Sequence, residues 1–132
     1  MDINSLSPLT LAYYGDALYE VFVRERVLKT SASLKSDALH REGVRYVNAG
    51  AQAKAIKTML YGGFLTEEES ALVKRARNHK TATKAKNADP VDYKWATAFE
   101  ALLGWLELTK QENRITEIME EAARITEGKD PR

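Results

Sequence analysis

The sequence predicts an all-α fold, and three observations carry that expectation. Apolar residues return at helical spacing along nearly the whole chain, runs of alternating β-branched residues are few, and the three prolines all stand near ends or junctions. At 132 residues the chain is expected to fold as one domain spanning 1–132, large enough for a hydrophobic core and too small for two.

Ser7 and Pro8 read as a serine N-cap with proline at the first helical position. The helix they open has apolar residues at 11, 14, 18, 21 and 22 and is predicted to run to about Leu28. Residues 29–33 form a polar break, after which Ser36 or Asp37 caps a helix holding Leu39, Val44 and Val47. Gly43 and residues 48–50 either interrupt that helix or form a joint. Good helix formers from Ala51 to Leu60 stop at Gly62 and Gly63, and Thr66 with Glu69 is a capping-box start for a helix carrying Leu72 and Val73. That helix is expected to dissolve into a basic stretch. Asp89 and Pro90 open the helix that holds Glu100. A last helix, from about Glu112 to Thr126, shows a regular apolar stripe at 115, 118, 119, 122 and 125.

Composition narrows the chemistry. With 44% apolar and 30% charged residues the chain has an ordinary globular balance, neither collagen-like nor disordered. No apolar run approaches the ~20 residues of a membrane span. Residues 1–8 lack a basic segment followed by an apolar one, so a cytoplasmic protein without membrane contact is expected. The absence of cysteine removes disulfides, thiolate nucleophiles and zinc–thiolate sites, leaving oxygen ligands and two histidines for metals.

Two acids stand alone in apolar helical stretches, Asp16 within 11–19 and Glu100 within 95–105, more than eighty residues apart. Burying an isolated carboxylate demands a counter-charge, a raised pKa or a metal ion. Arg24, Arg26 and Arg45 are the candidate partners in a structural reading of Asp16, whereas Glu100 has no arginine at helical spacing. If the two acids face each other, one must stay protonated unless a divalent cation lies between them. Hard oxygen ligands favour magnesium, manganese or calcium, and magnesium needs only one or two protein carboxylates when waters and phosphate complete its shell. Metal-assisted phosphodiester hydrolysis fits such a site. Gly15 directly before Asp16 signals either close helix packing or room for a ligand, packing being the commoner cause.

Residues 74–86 hold six Lys or Arg and no acid, and their Thr and Asn content suggests a loop or loosely ordered arm. Such runs are usually solvated faces, but the acids here are displaced to 67–69 and to the stretch beyond 106, leaving a positive patch able to neutralise phosphates. Lys74, Arg75, Arg77, Asn78, Lys80, Lys84 and Lys86 are therefore candidate contacts to a nucleic-acid backbone. Few aromatics are interleaved, which favours a duplex over stacked single-stranded bases. His40 and His79 are not placed as metal ligands, and Tyr13, Tyr14, Tyr19, Trp95 and Trp105 sit at helical spacing suited to core or dimer packing.

The strings YGDALYE at 14–20, KRARN at 74–78 and TAFEALLG at 97–104 resemble the ribonuclease III family, most closely its Mini-III branch. The resemblance spans nearly the whole chain and includes no double-stranded-RNA-binding domain. It implies a helical, homodimeric endoribonuclease that cuts double-stranded RNA with Mg²⁺, Mn²⁺ being able to substitute, and leaves 5′-phosphates and a 3′ overhang. The implied substrate is the large-subunit ribosomal RNA precursor, with a ribosomal protein as a conceivable helper. The Gly-Asp of the family's first signature falls on Gly15 and Asp16, and the Glu of its second falls on Glu100, making both acids catalytic metal ligands by resemblance. The acids expected four residues before the aspartate and three before the glutamate are Ala12 and Thr97 here, with Glu20 and Asp37 the nearest supporting acids.

Two rivals remain. One is an RNA-binding or ribosome-associated homologue that kept the fold and lost activity through Ala12 and Thr97. The other is an all-α nucleotide pyrophosphohydrolase, although those enzymes cluster acids as Glu-x-x-Glu pairs and the acids at 67–69 read as a cap.

Overall fold

The computed structural model describes residues 1–79 and 89–128. After a 3₁₀ turn at Ile3–Ser5, the elements are α1 (Pro8–Ser31), α2 (Ser36–Val47), α3 (Ala49–Tyr61), α4 (Glu67–Asn78), α5 (Pro90–Leu108) and α6 (Glu112–Thr126). No strand occurs among the described residues, as the periodicity predicts.

Helix α5 is the axis of the fold. Ten of its residues from Trp95 to Leu106 are buried apolar ones or Gly104, so it is apolar nearly all round, the mark of a helix enclosed by others. Helices α1, α3 and α4 surround it, α2 packs on α1, and α6 closes the far side against α3 and α5. Two glycines set the tightest of these contacts. A Cβ on Gly15 would lie 1.8 Å from the Glu100 carbonyl oxygen, and one on Gly104 would lie 2.1 Å from that of Leu11. The paired positions show α1 and α5 running antiparallel, backbone against backbone, with no room for a side chain at either glycine. Packing is thus the reason for Gly15. Tyr19 extends the same seam, its ring edge-on to Phe99 at 4.9 Å.

The junctions follow local chemistry. Ser7 Oγ accepts from the Thr10 amide, and the Asp89 carboxylate accepts from the amides of Val91 and Asp92, so both proline-led helices start as predicted. Thr66 and Glu69 exchange both capping-box bonds, at 3.1 and 2.9 Å. Asn48 resolves the ambiguous joint: its Nδ2 donates to the Val44 carbonyl while its Oδ1 accepts from Ala51, so one side chain ends α2 and starts α3. Gly43 interrupts nothing; it faces Val23 across the α1–α2 contact.

Three expectations are corrected. Helix α1 continues to Ser31, the Thr30 hydroxyl donating to the Val27 carbonyl and Lys29 favouring the C-terminal end of the helix dipole. Helix α2 is capped at Lys35 without a side-chain bond, and Ser36 and Asp37 lie in its first turn. Residues 74–78 are helical, because α4 still has an inward-facing position there, the buried Ala76. The threonines that argued for a loop fall at 81 and 83, outside the described residues, together with Lys80, Lys84 and Lys86.

Candidate active site

The glycine seam decides where the two acids go. With Gly15 pressed against the Glu100 backbone, the next residue on α1, Asp16, stands beside the Glu100 side chain, close enough for its charge to raise the Glu100 pKa. Their surroundings differ from the expectation that both would be core acids. Asp16 is exposed and Glu100 is half-buried. The apolar residues flanking Asp16 misled, because Tyr13 is 83% and Val21 69% exposed, so that part of α1 is apolar without being core. The inward stripe of α1 is Leu11, Ala12, Gly15, Tyr19, Val23 and Val27.

Among the described residues neither acid has a cationic partner. Arg24 pairs with Glu20 at 3.3 Å, Arg26 with Glu127 at 2.7 Å, and Arg45 with Glu42, which removes all three arginines proposed for a structural pairing of Asp16. Among the described residues no Lys, Arg or His lies within ion-pair distance of Asp16 or Glu100. Glu100 carries the consequence: burial first, and the Asp16 charge second, push its carboxyl from the ordinary 4.5 up to about 8. The Glu20 carboxylate adds to the same field. Asp37 takes no part; it is 80% exposed and faces Arg41 at 3.7 Å on α2.

Sequence reasoning missed a third group. Gln52 on α3 is only 3% exposed; its amide nitrogen donates to the Val47 carbonyl at 3.0 Å, and its side chain lies close enough to the Glu100 carboxyl to oppose the rise in that group's pKa. Its Oε1 is buried and has no partner. The signal was present in the α3 stripe at 52, 55, 56 and 59, where three positions are buried apolar residues and the fourth is a primary amide.

Ala12 and Thr97 supply no replacement acid. Ala12 is buried against α5, and the Thr97 hydroxyl donates to the Tyr93 carbonyl of its own helix at 2.9 Å. No cluster of three or more His, Asp or Glu side chains able to hold a metal occurs among the described residues. The donor set is two adjacent carboxylates with no counter-charge among the described residues. This suits a hard cation that keeps most of its waters.

On α4, Lys74, Arg75 and Asn78 face solvent. Arg77 is held: its guanidinium lies 4.9 Å above the Trp95 ring and its Nε donates to Asn78 Oδ1 at 3.1 Å. His79 caps the helix and contacts no acid of the pair.

The fold and the acid pair define an all-α domain in which crossed helices present two carboxylates. The model of the ribonuclease III domain matches residues 9–111, and the chain belongs to that family. Within the family it belongs to the Mini-ribonuclease 3 branch. It is 46% identical over 118 residues to the Mini-ribonuclease 3 of Enterococcus faecalis, covering 89% of each chain. It is 47% identical over 123 residues to that of Symbiobacterium thermophilum, covering 93% of this chain and 92% of the relative. A crystal structure of a protein from Fusobacterium nucleatum superposes with a TM-score of 0.79 at 32% identity, covering 93% of this chain and 96% of that one.

Proposed function

We propose that Asp16 and Glu100 together hold one Mg²⁺, replaceable by Mn²⁺, and that this pair is the catalytic centre for cutting double-stranded RNA. The chain is an endoribonuclease of the ribonuclease III type, an enzyme class that uses a divalent metal. The observation that carries the site assignment is that, among the described residues, no cation faces two adjacent carboxylates, one of which keeps its proton up to about pH 8 in the metal-free protein.

A bound divalent ion supplies Lewis acidity, favouring attack of water on phosphorus and neutralising charge on the leaving oxygen. Asp16, exposed on α1, faces the approaching phosphodiester, whereas Glu100 is fixed on the rigid central helix. In the metal-free protein Glu100 holds a proton beside the Asp16 carboxylate, and it would have to give that proton up to serve as an anionic ligand. Lys74, Arg75 and Asn78 contact the RNA backbone from α4, and Lys80, Lys84 and Lys86 extend the same basic run in sequence. Arg77, stacked on Trp95, presents its edge to a phosphate at low entropic cost.

One chain carries one acid pair, so cutting both strands takes two copies related by a two-fold axis. The exposed Tyr13 and Val21 on α1 are suited to such a contact. The substrate we favour is the large-subunit ribosomal RNA precursor in the cytoplasm, with a ribosomal protein as helper. Among the described residues no helix is long and apolar enough to cross a membrane.

Purified Asp16→Asn protein, assayed on duplex RNA with and without Mg²⁺, tests the assignment. Loss of cleavage with the fold intact is expected, and cleavage at the wild-type rate would overturn it. The non-enzymatic rival predicts no metal-dependent cleavage by the wild type.

A further inference from the structure

Gln52 is the polar group in the interior that the catalytic reading leaves unused. It lies on α3, not on either helix of the acid pair, and it is one of three polar or charged residues in the described core. The other two are explained by their bonds: Glu69 belongs to the capping box and an Arg114 pair, and Thr97 bonds its own helix. Gln52 instead ties two separate things together. Its amide nitrogen donates to the Val47 carbonyl, at the joint between α2 and α3, and its side chain neighbours the Glu100 carboxyl closely enough to lower that group's pKa. The Val47 carbonyl can only accept, so the NH₂ group must face it, and the direction of Oε1 follows. That oxygen is then enclosed without a donor. A buried amide oxygen held open in this way is unusual, because buried polar atoms are nearly always satisfied.

We propose that Gln52 is a positioning residue of the metal site, its amide orienting the Glu100 carboxylate from behind. The proposal rests on the assignment of Asp16 and Glu100 as the metal-holding pair. Carboxylates that ligate metals are themselves hydrogen-bonded, and loss of such a partner typically weakens metal affinity or activity 10–100-fold. Here the amide is held in place by its bond to Val47, so Glu100 meets an incoming cation beside a fixed neighbour. Too deeply buried to reach RNA, Gln52 acts only through Glu100.

The test uses the full chain carrying Gln52→Met, which fills a similar volume without hydrogen bonds. Mn²⁺ binding is measured by electron paramagnetic resonance, and cleavage of duplex RNA is followed across Mg²⁺ concentrations. Affinity for Mn²⁺ is expected to fall about 10–100-fold, with cleavage lost at low Mg²⁺ and recovered at high Mg²⁺. A merely structural role would lower the folded fraction and leave the metal half-saturation unmoved. Should Gln52→Met fail to fold, the wild-type side-chain amide signal of Gln52 in ¹⁵N NMR decides: it should shift on adding Mg²⁺, and should not in Asp16→Asn. Unchanged Mn²⁺ affinity in folded Gln52→Met, or an unmoved Gln52 signal, overturns the proposal. If Asp16→Asn binds Mn²⁺ like the wild type, the metal assignment fails and the proposal with it. If Asp16→Asn loses Mn²⁺ while Gln52→Met keeps it, only the role of Gln52 is lost.

Discussion

Glu69 and Glu100 are both enclosed glutamates of one helical fold, and they differ in what faces them. Arg114 grips Glu69 with two bonds, at 2.9 and 2.8 Å, and the Thr66 amide adds a third at 2.9 Å. Burial alone would raise the Glu69 pKa, but these donors outweigh it and hold the carboxyl below its ordinary value. Glu100 meets Asp16 and one neutral amide, and burial together with the Asp16 charge raises it. The first arrangement is finished within the fold. The second remains electrostatically incomplete, and a divalent cation completes it. A chain can therefore enclose the same side chain for stability in one place and for chemistry in another, and the donor set tells the two apart.

The comparison can be broken at either glutamate. The largest effect is expected from Asp16→Asn, which should slow duplex cleavage about 1000-fold, equivalent to about 4 kcal/mol of transition-state stabilisation, while leaving the melting temperature unchanged or higher. Glu69→Gln should do the reverse. It leaves Arg114 without its anion and should cost about 2–3 kcal/mol in chemical denaturation, below the ~3–5 kcal/mol of a fully buried pair because Arg114 keeps 22% of its side-chain surface. Its cleavage rate per folded molecule should match the wild type.

A smaller effect is expected from pH. Between about 4.5 and about 8 the folded metal-free protein keeps the Glu100 proton that the unfolded chain has released. The unfolded state then binds fewer protons, so metal-free stability is greatest below this window and falls as pH rises through it. Glu100→Gln should flatten that slope and stabilise the metal-free protein at pH 8 by about 1–2 kcal/mol, a figure discounted for the part of the carboxyl that water reaches. The smallest change belongs to the basic face, where Arg75→Ala should lower RNA affinity evenly across sequences and flatten the salt dependence by about one unit of log–log slope.

The helices were legible because capping and periodicity are local. Ser7-Pro8, Thr66 with Glu69, Asp89-Pro90 and the stripe from 112 to 126 all lie where their chemistry places them. The juxtaposition of Asp16 with Glu100 was also foreseen, since lone acids in apolar helices have few other resolutions. Exposure was less legible. Tyr13 and Val21 make the neighbourhood of Asp16 read as core, whereas apolar residues on a helix also serve surfaces other than its own interior. The Thr and Asn content of 74–86 suggests a loop or loosely ordered arm, but residues 74–78 stay helical because the single inward-facing Ala76 ties them to the core. Gln52 was hidden for a different reason. The buried stripe of α3 marks the amide as enclosed, but the carboxyl it neighbours lies on a helix more than forty residues further along the chain, and no local pattern points to that partner.

The difference between the two glutamates is tested most directly by following the melting temperature at pH 8 as Mg²⁺ is added to the wild type and to Glu100→Gln. A ligand bound only by the folded state stabilises it by about 2.7 kcal/mol at a hundred times its dissociation constant. The wild type should therefore melt at progressively higher temperature, and Glu100→Gln should stay flat. Equal upward shifts in both proteins would contradict the account.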